Sequence, residues 1–195
     1  MATPDVATLA ARSGADIARL ALAWPASSPA LTVTLVETTN VVSLRHWPGD
    51  GSAALSTVLT AQGLPALPAP ARACGVEPRL IWQCPNETLL LTSNGTRAAA
   101  LLAALRPQPG ALAFALDLAS GTLVVELNGS AVDALLSRLV DGDSLPRAPG
   151  QASRVRMADI AVTVWRDAPD RVGLVVDRAN GHYLARWLSY AADAM

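Results

Sequence analysis

Lysine is absent, and all 15 basic residues are arginine. A phosphate-binding loop built around a lysine is therefore excluded. Histidine occurs only at positions 46 and 182, and cysteine only at 74 and 84. Neither type shows Cys-x-x-Cys or Cys/His metal-ligand spacing, so in a reducing compartment both cysteines read as small apolar residues. A Gly-x-Ser-x-Gly elbow and a complete G-x-G-x-x-G turn are missing, and no predicted helix pairs His with His or a carboxylate on one face. Charged residues make up only 16% of the chain, against about 25% in an ordinary domain. Two readings of that shortage stand side by side: a compositional bias toward Ala and Arg, and a surface partly covered by partners, since obligate interfaces are depleted in charge.

What is present is apolar. Hydrophobic residues reach 51% over 195 positions, enough to bury a core without disulfide or metal. The net charge is −1 and the arginines are scattered, which argues against a nucleic-acid surface. The most apolar stretch, Leu80–Thr92, is short and carries Gln83, Asn86 and Glu87, so no membrane span is expected. Asp5, Arg12, Asp16 and Arg19 punctuate the N-terminus, which lacks the pattern of a secretion signal. A cytoplasmic protein is expected. The sequons starting at Asn86, Asn94 and Asn128 then read as turns and helix starts.

Residues 1–29 read as an amphipathic helix and linker. Val6, Leu9, Ala10, Ile17 and Leu20 follow three-and-four spacing, and Pro25 stops the helix. Residues 30–195 read as one pattern written twice, over 30–110 and 111–195: strand, strand, helix, loop, strand, strand, helix. In the first copy the strands fall at Leu31–Glu37, Val41–Trp47, Arg79–Cys84 and Thr88–Thr92, with helices at Ser52–Gln62 and Thr96–Leu105. In the second they fall at Leu112–Leu118 and Thr122–Leu127, then at paired segments around Val155–Met157 and Ile160–Arg166, and at Val172–Val176, with helices at Ser130–Val140 and Ala179–Ala192. Gly51-Ser52-Ala53 matches Gly129-Ser130-Ala131, and Leu64-Pro65 matches Leu145-Pro146. The expected fold is α+β and internally duplicated: two similar subdomains of mostly antiparallel, half-buried sheet with helices on one face, preceded by an N-terminal helix.

Candidate chemistry is sparse. Each histidine is weighed as a general base against a partly exposed polar residue, and the sequence supplies no partner for either. Glu37 and Asp117 each end the first strand of a copy, where accepting hydrogen bonds from the following turn explains them. Trp82, Trp165 and Trp187 lie on apolar faces and are expected in the core. Trp24 and Trp47 sit beside prolines at element ends, either as anchors for a partner or as caps on the core.

Three stretches carry a family resemblance: Val33–Arg45, the segment LIWQCPNETLLL, and LDLASGTLVVELNGSAVDALLSRL followed by VTVWR and VGLVVDRANGHYLARWLSYAA. The closing helix pattern is present as Arg178, Tyr183, Leu184, Trp187 and Leu188. Together these resemble the gamma subunit of heterotetrameric sarcosine oxidase over most of the chain after the first thirty residues. Thr88 and Cys84 depart from the family pattern, where Trp and Gly are usual. The resemblance implies a fold similar to the folate-binding domain of glycine cleavage T-proteins. It implies no catalytic, cofactor-binding or metal-binding residues in this chain. Flavins, nicotinamide nucleotide and folate would be held by the larger alpha and beta subunits of a sarcosine or related N-methyl amine oxidase. Ile17, Leu20, Trp24 and Trp47 are the candidate partner-binding residues. The alternative is a free-standing folate-binding protein, whose Lys-containing motif this chain cannot supply.

Overall fold

The computed structural model describes residues 22, 24–37 and 39–195. The expected N-terminal helix, with Ile17 and Leu20, lies outside the described residues. Ten strands and four helices follow: β1 (Thr32–Leu35), β2 (Asn40–His46), α1 (Asp50–Ala61), β3 (Ala73–Cys74), β4 (Arg79–Cys84), β5 (Glu87–Thr92), α2 (Gly95–Ala104), β6 (Ala113–Asp117), β7 (Thr122–Asn128), α3 (Val132–Leu136), β8 (Ala152–Met157), β9 (Ile160–Ala168), β10 (Arg171–Asp177) and α4 (Gly181–Asp193).

The strands form two five-stranded sheets, paired antiparallel throughout. The first sheet runs β6-β2-β5-β4-β3 and the second β1-β7-β10-β9-β8. The two orders correspond strand for strand once β1 and β6 are exchanged. Each opening strand leaves its own half and adds to the edge of the other sheet. The opening strand-turn-strand segments, β1–β2 and β6–β7, therefore do not pair with themselves, whereas β4–β5 and β9–β10 do. Period-two alternation reports which face a strand buries, not which strand lies beside it.

Alternation along the central strands separates three cores. Val42, Leu44, Leu80 and Leu90 face α1 and α2, where Leu55, Leu59 and Leu101 meet them. Val125, Val164, Leu174 and Val176 face α3 and α4, where Leu135, Leu184 and Leu188 meet them. Val41, Ile81, Leu89, Val124, Trp165 and Val175 point into the space between the sheets. The order of layers is helices, sheet, sheet, helices. The sheets were expected to be half-buried, but their central strands are buried on both faces, which accounts for the unbroken runs Leu89-Leu90-Leu91 and Leu174-Val175-Val176. Each fully buried leucine contributes about 1.5–3 kcal/mol relative to exposure.

The matched Gly-Ser-Ala landmarks have a steric cause. A Cβ on Gly51 would lie 2.6 Å from the Leu112 carbonyl oxygen, and one on Gly129 2.2 Å from that of Ala30. Leu112 lies one residue before β6 and Ala30 two residues before β1, the two exchanged strands. Each glycine lets the incoming backbone cross the strand-to-helix turn of the opposite half, where Trp47 N–H donates to Leu112 at 2.9 Å and Ala131 N–H to Ala30 at 2.9 Å. The matched leucines are likewise equivalent, for Leu64 and Leu145 each drop into the core on their own helix side. At the far edges the sheets meet, Ala73 N–H donating to Gly150 and Ala152 N–H to Ala71, both at 2.9 Å.

Two further expectations are corrected. The helix expected from Ser130 to Val140 is regular only over Val132–Leu136, after which the chain tightens into turns. There the Leu139 carbonyl accepts from Ala158 N–H at 3.0 Å, which ties it to the β8–β9 turn instead of a further helical turn. The buried Arg166 side chain supports this shortened layer by donating to the Pro146 carbonyl at 2.8 Å, to the Pro169 carbonyl and to Asp133. β3, in the stretch read as a Pro/Ala-rich loop, is added by pairing with β4.

Candidate partner interface

α4 shows most directly how this sequence prepares a surface. Leu184, Ala185, Leu188 and Ala191 recur at three-and-four spacing and are buried against the second sheet. Tyr183, Trp187 and Tyr190 recur at the same spacing on a neighbouring stripe and are exposed. Their rings touch in sequence. Tyr183 and Trp187 have centroids 6.2 Å apart, and Trp187 and Tyr190 meet edge-to-face at 5.6 Å. With Arg186 they line a surface hollow of about 410 Å³. Trp187 also borders a second hollow, where Arg138 and Arg156 stand, and Arg156 forms an exposed pair with Asp159 at 2.8 Å. Such a pair contributes little to stability and is neutral overall, so the positive charge at the rim of the aromatic stripe comes from Arg138 and Arg186.

Trp187 was expected in the core and stands at its edge, 36% exposed. Tyr183 and Tyr190 were not among the candidate partner residues. The signal that finds them is the second apolar stripe on a helix whose first stripe is already fully used.

Trp47 is 61% exposed. It lines a groove of about 520 Å³ with Pro107, Phe114 and Leu112, on the edge of the first sheet. Trp24 is half-buried against the core of the second sheet and so fixes the chain to its own domain. The two tryptophans therefore fall on different sheets. Of the other singled-out residues, His46 Nδ1 lies 3.1 Å from the Trp47 carbonyl and His182 is exposed at the start of α4. Asp117 accepts from Ala119 N–H at 2.9 Å, the turn role expected of it. Burial pushes the Cys74 thiol up, against the pull of the Arg79 guanidinium. Among the described residues no group of three or more His, Cys, Asp or Glu side chains is placed to hold a metal ion, and no helix is long and apolar enough to cross a membrane.

No protein-family model matches the sequence. Sarcosine oxidase subunit gamma of Corynebacterium sp. (strain P-1) is 31% identical over 181 residues, which cover 90% of this chain and 86% of that protein. The chain belongs to the sarcosine oxidase gamma subunit family. Within that family, a chain of the heterotetrameric sarcosine oxidase from Corynebacterium sp. U-96, solved in complex with pyrrole 2-carboxylate, superposes on this gamma-type chain with a TM-score of 0.76. The identity is 27%, and the match covers 94% of this chain and 95% of that one. The aminomethyltransferase T of the glycine cleavage system from Bartonella henselae shares the fold at a TM-score of 0.57 and 12% identity, over 82% of this chain and 45% of the other.

Proposed function

We propose that this gamma-type chain is a structural subunit of a hetero-oligomeric sarcosine oxidase, or of a related N-methyl amine oxidase, and docks on larger alpha and beta subunits. The observation that carries the reading is the end-to-end match with one chain of a heterotetrameric enzyme. The exposed stripe Tyr183, Trp187 and Tyr190 supports it, because large aromatics that lose water at an interface carry most of its binding energy. Arg138, Arg156 and Arg186 around the stripe favour a partner segment rimmed by carboxylates. The Trp47 groove offers a second contact on the opposite sheet. In this reading the flavins, nicotinamide nucleotide and folate belong to the partner subunits, and the enzyme works in the cytoplasm. Residues 30–110 and 111–195 are two copies of one unit, supported by the corresponding strand orders.

Tagged chain co-expressed with the alpha and beta subunits of its host should recover a yellow, flavin-absorbing complex. Replacing Trp187 and Tyr190 together by alanine should weaken recovery by about 10-fold or more, as loss of an interface anchor does. The chain should stay folded, with a thermal midpoint lowered through the partly buried Trp187 and little changed by Tyr190→Ala alone, since Tyr190 is 66% exposed. A colourless chain that ignores the larger subunits would overturn the reading.

A further inference from the structure

Resting on the subunit reading above, we infer that the exposed side of α4 receives an acidic segment of a larger subunit. A bulky apolar side chain of that segment enters the hollow lined by Tyr183, Trp187 and Tyr190. A carboxylate of the same segment enters the neighbouring hollow at Arg138. Trp187 borders both hollows. The first, of about 410 Å³, has Arg186 as its one charged residue. The second, of about 300 Å³, has an apolar lining in Leu139 and Ala158 and a charged one in Arg138, Arg156 and Asp159. Tyr183, Trp187 and Tyr190 stand at i, i+4 and i+7 on α4, so they form one row about 10 Å long. Their ring contacts order the row before a partner arrives. An apolar side chain laid against an ordered surface costs less freedom on binding.

Charge decides the rest. α3 carries Asp133 and the β8–β9 turn carries Asp159, and both acids are spent within the chain. Asp133 accepts from the buried Arg166, and Asp159 pairs with Arg156 at 2.8 Å. Among the described residues the Arg138 and Arg186 side chains have neither a hydrogen-bond nor an ion-pair partner. Each hollow is therefore left with one uncompensated guanidinium. A guanidinium is a planar fork of N–H donors that a carboxylate matches with two parallel hydrogen bonds. The aromatic row beside it excludes water once covered, so such a pair is screened less than an open surface pair. A neutral apolar segment would leave both charges unmatched, and a basic one would be repelled.

Capture of the tagged full chain co-expressed with the alpha and beta subunits tests this, with retained flavin as the readout. Arg138→Glu should lower recovery about tenfold at about 0.05 M NaCl, because it sets acid against acid. Arg138→Gln should lose less. Arg97→Glu makes the same charge change on α2, over the other sheet, and should change nothing. Arg186→Glu, on the exposed side of α4, repeats the test if Arg138→Glu does not fold. A photo-reactive phenylalanine analogue at position 190 should crosslink a peptide of the larger subunit in which Asp or Glu flanks a large apolar residue. Full recovery with both arginine reversals, or a crosslinked peptide flanked by Lys or Arg, would overturn the inference. If the alanine pair at Trp187 and Tyr190 still loses the complex in that event, the subunit reading survives and the partner's acidity does not. A parent chain that captures no flavin overturns the subunit reading and the inference with it.

Discussion

Two rows of side chains face each other across the inter-sheet space, one from each sheet, and they solve the same packing problem differently. In the first sheet the row runs Leu116, Ser43, Leu89, Ile81, Ala73. In the second it runs Thr34, Glu126, Gly173, Trp165, Ala152. Where the first row sets leucine beside isoleucine, the second sets glycine beside tryptophan. One large ring covers the place of two branched side chains. Polar balance differs as well. The buried Ser43 hydroxyl donates to Glu87 at 2.6 Å, and Arg45 donates to both. Gln83 and Thr163 bond across the sheets at 2.9 Å near the same end. That end satisfies its own polar groups. The Trp165 end leaves a buried indole N–H without a partner among the described residues.

Substitutions in the two rows break or sharpen this contrast. Leu89→Ala removes volume from the tightly filled row and should cost about 2–5 kcal/mol, read as a lower urea midpoint with unchanged slope. A cost below 1 kcal/mol would mean that the neighbours collapse and the row is not close-packed, since a one-kcal change is already resolvable by this measurement. Gly173→Ala adds a single carbon where the indole lies and should cost about 1–3 kcal/mol, with a shift in tryptophan emission as the ring is displaced. An unchanged emission spectrum would show that the ring does not depend on the gap. Glu126→Gln removes a charge from the open end and should leave stability within about 0.5 kcal/mol, read as an unchanged urea midpoint.

Much of the secondary structure was legible because its signals are local. Alternation and β-branching marked β4 and β10 to within a residue, and Asn94, whose side chain accepts from Arg97 N–H at 3.0 Å, marked the start of α2. Elements whose existence depends on a distant partner were not legible. β3 exists because β4 lies beside it, and α3 is cut short because the Leu139 carbonyl is taken by the β8–β9 turn. The candidate interface was half legible. Trp47 beside Pro48 was open between a partner anchor and a cap on the core, and the fold leaves it exposed, whereas Trp187 was assigned to the core because one apolar stripe on a helix cannot be told from a second until the neighbouring sheet has claimed its share.

By itself the sequence determined the α+β class, the two-fold recurrence of its landmarks and membership of the gamma subunit family, because these rest on local period, turn chemistry and residue-by-residue similarity. The tertiary structure alone decided that β1 and β6 change places, that Gly51 and Gly129 are the crossing points that allow it, and that the Trp165 ring lies over Gly173. Those outcomes depend on which backbone passes within van der Waals reach of which, and residues such as Ala30 and Gly129 or Gly173 and Trp165 meet only after the sheets have formed.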